Sequence, residues 1–442
     1  MKVEDRAYQI EGVANIIDAL GKHGRVLAVS PTGSGKSVMG AQVIAGAFAT
    51  RRVLWMAHRR ELLAQARKAL REAGLPRVGI LSGTVKEDTA APVLVASIDM
   101  VRRMEAGTFD LVVVDEAHRI AAKSYQDALA ALPGVPVLGL TATPQRLDGK
   151  ALTNTFAHVV TVALNSQLIA DGWLVKPVTY SIPEDRARRL VAGLPTTGGD
   201  YAQGKLGERM MGAKLMGDVV TECAKHAPGK RTIVFATTRE HARALTAKFR
   251  KAGRPTEYLD GETPDGERAD ILTRFASGVV EVVVNVDILT EGYDLPAVGC
   301  IALCRPTKSR TRYLQYCGRA SRPHHGKRDA VILDHAGNVY RHGLSWVDRE
   351  WKAGREKGNG DAPCWRCPEC GAMNTLDLSE CEECGAERPK SEREEADERV
   401  RLAKIEAGAA DRRALEERLR AFARGHGKDE EWVREGMMRV MA

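Results

Sequence analysis

The stretch "RVLAVSPTGSGKSVMGAQVIAGAFA", residues 25–49, joins an apolar run to a helical pattern through a glycine-rich loop. The apolar run predicts a buried strand, and the residues after the loop predict a helix. Backbone N–H groups of such a loop approach phosphate oxygens, and the positive N-terminus of the helix adds to the attraction. The loop keeps these residues of the phosphate-binding pattern: Gly33, Gly35, Lys36 and Ser37. Ser30 replaces the first glycine of that pattern, and a glycine loop without a ligand is the alternative reading.

The same alternation of strand and helix continues along the chain and then repeats. Apolar runs such as "RRVLWMAH" (51–58) are each followed by a helical pattern, and a second set begins with "RTIVFAT" (231–237). Apolar strands that alternate with helices predict parallel sheets covered on both faces. The sequence therefore predicts an α/β chain with two tandem parallel-sheet domains, at residues 1–165 and 166–345. Residues 181–205 are expected to form a connection or a flexible insertion.

The composition changes beyond residue 345, where a cysteine-rich segment (346–390) begins. Two Cys-x₂-Cys-Gly pairs with ten residues between them supply Cys367, Cys370, Cys381 and Cys384. Four thiolates at this spacing predict a tetrahedral Zn²⁺ site in a small zinc ribbon. Cys364 is an alternative ligand, and four unligated thiols are the competing interpretation.

The final segment, residues 391–442, is rich in Glu and Arg and has apolar residues three and four positions apart. This spacing predicts an amphipathic helical tail. The tail either folds back against the body or offers a surface to a protein partner. The ribbon has two readings as well, contact with nucleic acid or a brace for the second domain.

The composition favours a polyanionic partner, because the 442 residues carry a net charge of +8 and the pI is about 9.0. The first 30 residues lack the form of a secretory signal, and no apolar run approaches the roughly 20 residues of a membrane span. Nine cysteines, five of them clustered, favour metal ligation over a disulfide framework. We therefore expect a soluble monomer with no membrane association.

A second motif, "LVVVDEAH" (111–118), brings two carboxylates to the end of a predicted buried strand. Ligands of α/β sheets bind at the carboxyl ends of strands. Asp115 suits Mg²⁺ held through water, and Glu116 suits the orientation and deprotonation of an attacking water. Acidic residues that close a strand are common, so the pair alone fits a structural cap equally well. Together with the phosphate loop it favours catalysis.

The ordered motifs of the chain resemble those of the superfamily 2 helicases over roughly residues 1–340. They are "RAYQ" (6–9), "SPTGSGKS" (30–37), "AHRREL" (57–62), "DEAH" (115–118), "TATPQR" (141–146), "VFATTREHARAL" (234–245), "NVDILTEGYDLP" (285–296) and "QYCGRASRP" (315–323). The stretch "TATPQRLDGK", the glutamine-headed last motif and the cysteine-rich segment most resemble bacterial and phage RadD-like DEAH-box proteins.

This resemblance implies two RecA-like domains with ATP and Mg²⁺ in the cleft between them. The residues implied to bind the nucleotide are Arg6, Gln9, Thr32, Gly33, Ser34, Gly35, Lys36, Ser37, Gly292 and Asp294. Asp115 and Ser37 would hold Mg²⁺, and Glu116 would act on water. The residues implied to couple the nucleotide to nucleic acid are His118, Thr141 and Thr143.

The arginines of "QYCGRASRP" have two interpretations. Arg319 and Arg322 stand three residues apart, which places both on one helical face, and a solvated pair is the ordinary reading. The resemblance implies instead that both are fingers that reach the γ-phosphate from the second domain, with Gln315 beside them. Such a finger stabilises the charge of the transition state.

The resemblance also implies a nucleic-acid track along the tops of both domains. The matching residues are Arg59, Gly83, Ser97, Thr237 and Thr290. Hydroxyls, backbone amides and arginines of this kind bind the phosphate backbone without reading bases. DNA is favoured over RNA, with translocation or remodelling favoured over strong strand separation, in a bacterial or phage-infected cytoplasm. A zinc-containing scaffold that uses ATP as a switch, or a small-molecule kinase, is the competing function.

Overall fold

The computed structural model of the chain describes most of its residues. They are 6–104, 108–145, 152, 155–349, 351–352, 355–356, 364–390 and 412–441. The chain divides into two compact units, residues 1–366 with 371–376, and residues 367–370 with 377–442. No described helix has both the length and the apolar character needed to cross a bilayer.

The first region of the larger unit alternates helices with strands, as predicted. It begins with α1 (Ala7–His23), β1 (Arg25–Val29), α2 (Lys36–Ala47), β2 (Val53–Ala57), α3 (Arg60–Glu72), β3 (Val78–Leu81), β4 (Lys86–Glu87), β5 (Val93–Ser97) and α4 (Ile98–Val101). It continues with β6 (Leu111–Asp115), a 3₁₀ turn (Ala117–Arg119), α5 (Lys123–Ala130), β7 (Val137–Thr141) and β8 (His158–Thr161).

These strands form an eight-stranded sheet in the order β4-β3-β5-β2-β6-β7-β1-β8. Its neighbours are parallel except for β3 and β4. The alternation of side chains along a strand sends Trp55 to one core and Met56 to the other, so both faces are covered. Because β6, β7 and β1 are adjacent and parallel, their carboxyl ends deliver Asp115, Thr141 and the phosphate loop to one edge.

The second region is built in the same way. Its elements are α6 (Asn165–Ala170), β9 (Pro177–Ser181), α7 (Glu184–Val191), β10 (Thr196–Thr197), β11 (Asp200–Tyr201), α8 (Gln203–Met210), α9 (Ala213–His226), β12 (Arg231–Phe235), α10 (Arg239–Lys251), β13 (Thr256–Leu259), α11 (Asp265–Ser277), β14 (Val282–Asn285), β15 (Val298–Leu303), α12 (Arg310–Cys317), β16 (Ala330–Asp334) and α13 (Asn338–His342). Six of its strands form a parallel sheet in the order β13-β14-β12-β15-β16-β9. The predicted pair of parallel-sheet regions is confirmed.

Residues 181–205, which were expected to form a connection or a flexible insertion, contain regular secondary structure. This segment contains α7 and a hairpin of β10 and β11, whose turn places Gly198 and Gly199 at φ of 60° and 85°. Two consecutive glycines suit a tight hairpin turn that needs positive φ at both positions. The Asp200 carboxylate fixes the hairpin by accepting hydrogen bonds from Thr307 Oγ1 at 2.7 Å and from an Arg312 guanidinium nitrogen at 2.9 Å.

Short paired strands follow the second sheet. They are β17 (Trp351–Lys352) with β18 (Arg355–Glu356), and β19 (Cys364–Arg366) with β20 (Met373–Thr375). Arg366 Nε donates to Ser181 O at 2.8 Å, and Ala372 bridges Tyr180, so β19 and β20 lie beside edge strand β9.

The smaller unit contains the helical tail as a hairpin of α14 (Arg412–Gly425) and α15 (Glu430–Met441). Leu419, Ala423 and Val433 pack between the two helices, as amphipathic spacing predicts. Residues 391–411 of the predicted tail, and residues 146–150 of "TATPQRLDGK", lie outside the described residues.

Candidate nucleotide site between the two sheets

The phosphate loop runs from the end of β1 to the start of α2. Gly33 and Gly35 have φ of 92° and 84°, which is left-handed backbone that glycine adopts without a steric penalty. Helix α1 fixes the loop, because Tyr8 Oη and Gln9 Nε2 donate to Ser34 O at 2.6 and 3.1 Å. Lys36 Nζ lies over the same loop, 3.3 Å from Ser30 O. Ser37 follows as the second residue of α2.

The acidic pair lies at the end of β6, two strands away from β1 at the same edge of the sheet. Asp115 closes β6, and Glu116 follows at φ 50° and ψ 54°, where a non-glycine residue is strained by about 1–3 kcal/mol. The Glu116 backbone N–H donates to Asp115 Oδ1 at 3.0 Å. Burial and the neighbouring charge of Glu116 raise the pKa of Asp115 to about 7. Burial would also raise the pKa of Glu116, but the contact with His118 outweighs burial and lowers it.

The second sheet brings α12 against this edge. Gln315 Nε2 donates to Glu116 Oε2 at 3.4 Å. Arg319 donates to Thr290 O at 2.6 Å and to Tyr293 O. Arg322 follows α12, and its Cγ would lie only 3.2 Å from a Cβ placed on Gly33. The structure therefore places the predicted finger residue over the phosphate loop.

Three cations converge here, of which Arg319 is buried and Lys36 and Arg322 are half-buried. Burial and mutual repulsion lower the pKa of Lys36, and they lower the pKa of Arg319 to about 9. Burial also lowers the pKa of Arg322, although Asp294 lies 2.5 Å from its guanidinium nitrogen. Excess positive charge out of water favours an anionic ligand such as a polyphosphate.

Several buried polar atoms in the same place have no hydrogen-bond partner among the described residues. They are Gln9 Oε1, Ser30 Oγ, Ser34 Oγ and Asp115 Oδ2. Such atoms are costly unless a ligand or water satisfies them. The donor set therefore fits a nucleotide triphosphate, and the carboxylate of Asp115 and the hydroxyl of Ser37 are of the types that fit Mg²⁺, which prefers carboxylate, hydroxyl and phosphate oxygens.

The other end of the loop has an aromatic and cationic wall. The Arg6 guanidinium lies 4.3 Å from the ring centroid of Trp173 and donates to Tyr8 Oη at 3.1 Å. Gln9, beside them, is 2% exposed. Thr32 lies on the side facing α12, where a Cβ on Gly318 would come within 2.5 Å of Thr32 Cβ. The two sheets are therefore in close contact next to the loop.

The remaining predicted nucleotide residues lie further around the interface. Gly292 packs against α3, where its carbonyl accepts a hydrogen bond from Gln65 Nε2 at 2.7 Å. Asp294 is largely exposed and pairs with Arg322. The roles of both residues toward the ribose stay predictions.

Of the three predicted coupling residues, Thr143 and His118 contact groups of the second sheet, whereas Thr141 contacts Thr143 of its own sheet. Thr141 Oγ1 donates to Thr143 O at 2.8 Å, and Thr143 Oγ1 lies 2.8 Å from Thr311 Oγ1 of α12. His118 Nδ1 lies 3.2 Å from Glu116 Oε2. Both threonines and His118 are buried.

A charged cluster around Glu291 was missed by the sequence analysis. This carboxylate of the second sheet is 1% exposed and lies 2.8 Å from His58 Nε2 and 3.0 Å from an Arg119 guanidinium nitrogen. It also lies 3.6 Å from His118 Nε2. The sequence positions of these residues could have indicated the cluster, because both lie just after a strand and within a quoted motif. Glu291 follows β14 within "NVDILTEGYDLP", and His58 follows β2 within "AHRREL".

The five predicted nucleic-acid residues have different surroundings. Gly83 is exposed and Ser97 is half-buried at the start of α4. Arg59 donates to Ile288 O at 2.9 Å, and Thr237 is fully buried with its hydroxyl donating to Cys304 O at 3.0 Å. The carbonyl of buried Thr290 accepts from Arg319. In this arrangement Arg59, Thr237 and Thr290 each make a hydrogen bond within the protein. Their contact with nucleic acid stays a prediction.

The cysteine cluster of the smaller unit has the geometry of a metal site. The Sγ atoms of Cys367, Cys370, Cys381 and Cys384 all lie within 4.8 Å of one another. Gly371 and Gly385 have φ of 80° and 72°, which lets the chain turn back after each pair. Cys364 Sγ lies instead 3.9 Å from Val339 O in the larger unit. The four thiols fit tetrahedral Zn²⁺.

Comparisons with known proteins agree on the family. Residues 2–146 match the model of the type III restriction enzyme res subunit, and residues 214–324 match the helicase conserved C-terminal domain. A 51.5 kDa protein of a Lactococcus phage is 32% identical over 368 residues, which are 80% of this chain and 76% of that protein.

A yeast relative and a solved structure extend this likeness. The Saccharomyces cerevisiae protein named "Putative ATP-dependent helicase IRC3" is 30% identical over 75% of this chain, which spans about half (51%) of that protein. The type ISP restriction-modification enzyme LlaBIII, solved bound to DNA, shares the fold with a TM-score of 0.57 at 17% identity. That match covers 76% of this chain and 28% of the enzyme.

Proposed function

This chain belongs to the superfamily 2 helicases, a family of ATP-dependent nucleic-acid helicases and translocases, and we propose that it hydrolyses ATP between its two sheets to move along or remodel DNA. The observation that carries the proposal is the convergence of Lys36 and the acidic pair with Arg319 and Arg322, which come from the other sheet. A small-molecule kinase would leave the second sheet and its arginines without a role.

The site residues divide the chemistry among them. The loop N–H groups and Lys36 bind the phosphates, and Ser37 with Asp115 would hold Mg²⁺, which neutralises phosphate charge when bound. Glu116, whose pKa is lowered, is ionised at neutral pH and orients and deprotonates the attacking water. Gln315 holds the same carboxylate from the second sheet. Arg6 and Gln9 bind the base.

Arg319 and Arg322 act on the γ-phosphate when the sheets close. Each is held in place through backbone carbonyls of residues 290–293, so the fingers move with the second sheet. Closure adds positive charge where negative charge develops, and opening after hydrolysis withdraws it. Repeated opening and closing, read through His118, Thr141 and Thr143, moves the nucleic acid.

DNA is the proposed polymer. The resemblance to RadD-like proteins, together with the DNA-bound state of LlaBIII, supports this choice, and repair, recombination or replication is the proposed setting. Gly83 and Ser97, which lie at or near the surface, are the proposed backbone contacts, along with Arg59, Thr237 and Thr290. Contacts of this type do not read sequence. Translocation or remodelling is favoured over strong strand separation.

The proposed domain boundaries follow the motifs. Residues 1–165 form the ATP-binding domain with the DEAH box, and residues 166–345 form the domain with the arginine fingers. Residues 346–390 form a zinc ribbon and residues 391–442 a helical tail, either of which offers a surface to a protein partner.

The zinc proposal has a direct test. Metal analysis of the purified chain should find about one zinc per chain, and Cys381→Ser should lower that content sharply because one of four thiolates is lost. Cys364→Ser is the matched control and should keep the zinc. Zinc content well below one per chain, or equal loss in both variants, would contradict the four-cysteine assignment.

The function is tested by steady-state ATP hydrolysis with no polymer, single-stranded DNA, double-stranded DNA or RNA. Strong stimulation by DNA that disappears in Lys36→Ala is the expected result. Stimulation by RNA alone would overturn the choice of polymer. Slow hydrolysis that ignores every polymer would favour a zinc-containing scaffold that uses ATP as a switch.

A further inference from the structure

Glu291 is a fully buried carboxylate of the second sheet that is surrounded by groups of the first. Within the described residues its ion contacts are with His58, which follows β2, and with His118 and Arg119, which follow β6. The distances to the nearest nitrogens are 2.8, 3.6 and 3.0 Å. These contacts therefore exist only while the two sheets are together.

His118 connects this carboxylate to the reacting end of the site. Its Nδ1 lies 3.2 Å from Glu116 Oε2 and its Nε2 faces Glu291, so one ring stands between two carboxylates. The His118 side chain is 0% exposed. Both ring nitrogens lie within ion-pair distance of a carboxylate, although neither contact has hydrogen-bond geometry in this arrangement. Burial would lower the pKa of His118, but the contacts with both carboxylates outweigh burial and raise it.

The orientation of Glu116 thus depends on a residue 175 positions further along the chain, in the other sheet. When the sheets separate, His118 loses its Nε2 partner and Glu291 loses three partners at once. A buried charge that loses its partners is costly, which favours the fully closed or the fully open arrangement over intermediates. The 3.6 Å separation leaves room for the contact to tighten when substrate is bound, as catalytic hydrogen bonds often do.

We propose that Glu291 is a positioning residue that makes hydrolysis depend on closure of the two sheets, by fixing His118 and through it Glu116. This inference rests on the proposed function of Glu116 as the group that activates water. Glu291 touches no reacting atom, so its removal should act on turnover and not on the capture of ATP.

The test compares Glu291→Gln with the wild type in the full chain. Glutamine keeps the size of the side chain and loses its charge. We expect kcat for ATP to fall about 10- to 100-fold while the Kd for ATP stays within a few-fold. Glu291→Asp keeps the charge with a shorter reach and should recover part of the rate. Melting temperatures of both variants establish that they are folded.

Glu61→Gln is the matched control. Glu61 is also a carboxylate at the interface of the two sheets, where it accepts a hydrogen bond from Tyr293 Oη at 2.8 Å and lies 3.4 Å from Arg268. It has no contact with His118 among those that the structure describes. Its replacement should change kcat by no more than about threefold. An equal fall in both variants would assign the effect to the interface in general and overturn the proposal.

A double-mutant cycle with His118→Ala separates positioning from a structural role. If Glu291 acts through His118, Glu291→Gln should slow His118→Ala by less than threefold, although it slows the wild type at least tenfold. Independent, multiplicative effects would overturn the proposal, and so would wild-type kcat in Glu291→Gln. If the wild type hydrolyses no more ATP than Lys36→Ala, the proposed function itself fails, and this inference fails with it.

Discussion

The two sheets present different chemistry to the same cleft. The first contributes the phosphate loop and the acidic pair, which follow β1 and β6, two strands separated by β7 at the same edge of the sheet. The second contributes Gln315 and two arginines, which are anchored on backbone carbonyls of its own loop. In the proposed function, the first sheet therefore holds most of the groups that would bind a nucleotide, whereas the groups that would raise the rate are complete only when both sheets meet. Variants on each side should separate binding from turnover.

Variants of the first sheet should have the largest effects. Lys36→Ala should abolish ATP binding, because the loop loses the cation that reaches the phosphates. Glu116→Gln should bind ATP with little change and hydrolyse it about 10³-fold more slowly, because the amide accepts no proton from water. Equilibrium binding and release of radiolabelled phosphate measure the two steps. Normal turnover by Glu116→Gln would remove Glu116 from the mechanism.

Arg322→Ala tests the contribution of the second sheet. We expect the affinity for ATP to stay within a few-fold of wild type. The rate of ATP hydrolysis should fall by up to about 100-fold. The loss should stay below the full range of about 10³ to 10⁵ for an arginine finger, because Arg319 remains. The same binding and phosphate-release measurements apply. A wild-type rate would return the pair to the reading of ordinary solvated arginines.

Gly318→Ala tests how closely the two sheets must approach. The added Cβ would lie 2.5 Å from Thr32 Cβ, so the closed arrangement would be strained by about 1–3 kcal/mol and kcat should fall about tenfold. Gly204→Ala is the control, since nothing lies within 4 Å of a Cβ at that position. Equal rates for the two variants would mean that catalysis tolerates a wider gap.

Acid should weaken the second sheet region before the first. Burial lowers the pKa of His241 and of His335 to about 4 and that of His342 to about 3, whereas the pKa of His118 is raised. Below about pH 6.5 these three histidines bind protons in the unfolded chain, whereas in the folded protein the buried rings stay neutral. Stability should therefore fall by about 1.4 kcal/mol per pH unit for each ring between about pH 6.5 and 4.

Urea unfolding midpoints at pH 7.5, 6 and 5 measure this effect. His335→Leu is the informative variant, because His335 Nε2 has no hydrogen-bond partner in the described part of the chain. The variant should lose about a third of the contribution of the three histidines. A midpoint that does not change with pH in the wild type would contradict the assignment.

Much of the fold could be predicted from the sequence, because the decisive signals are local. The strand, loop and helix around Lys36, and the carboxylates that end β6, are each specified within a few residues. Parallel pairing then places the two groups at one edge without further information. The cluster of four cysteines was predictable for the same reason, since two short pairs and their glycines bring four thiols together.

What the sequence did not provide is the set of contacts made across long separations. Nothing in the spacing of Arg59 or Thr237 indicates that the first donates to Ile288 O and that the second is buried against Cys304 O. The position of Glu291 in a charged cluster was missed because its partners are histidines of the other sheet. The hairpin at residues 196–201 was not predicted within the expected connection or flexible insertion, because the acid that fixes it lies more than 100 residues from its partners in the sequence.

The strand pair that lies beside β9 has a practical consequence for shortened forms of the protein. β9 is the last strand of the six-stranded sheet, and the Arg366 and Ala372 contacts cover its outer edge. A chain ending near residue 345 would expose unpaired N–H and C=O groups along that edge. Exposed edges recruit strands from other molecules. Such a fragment should keep both sheets yet self-associate, so poor solubility after truncation would reflect an uncovered edge and not a damaged nucleotide site.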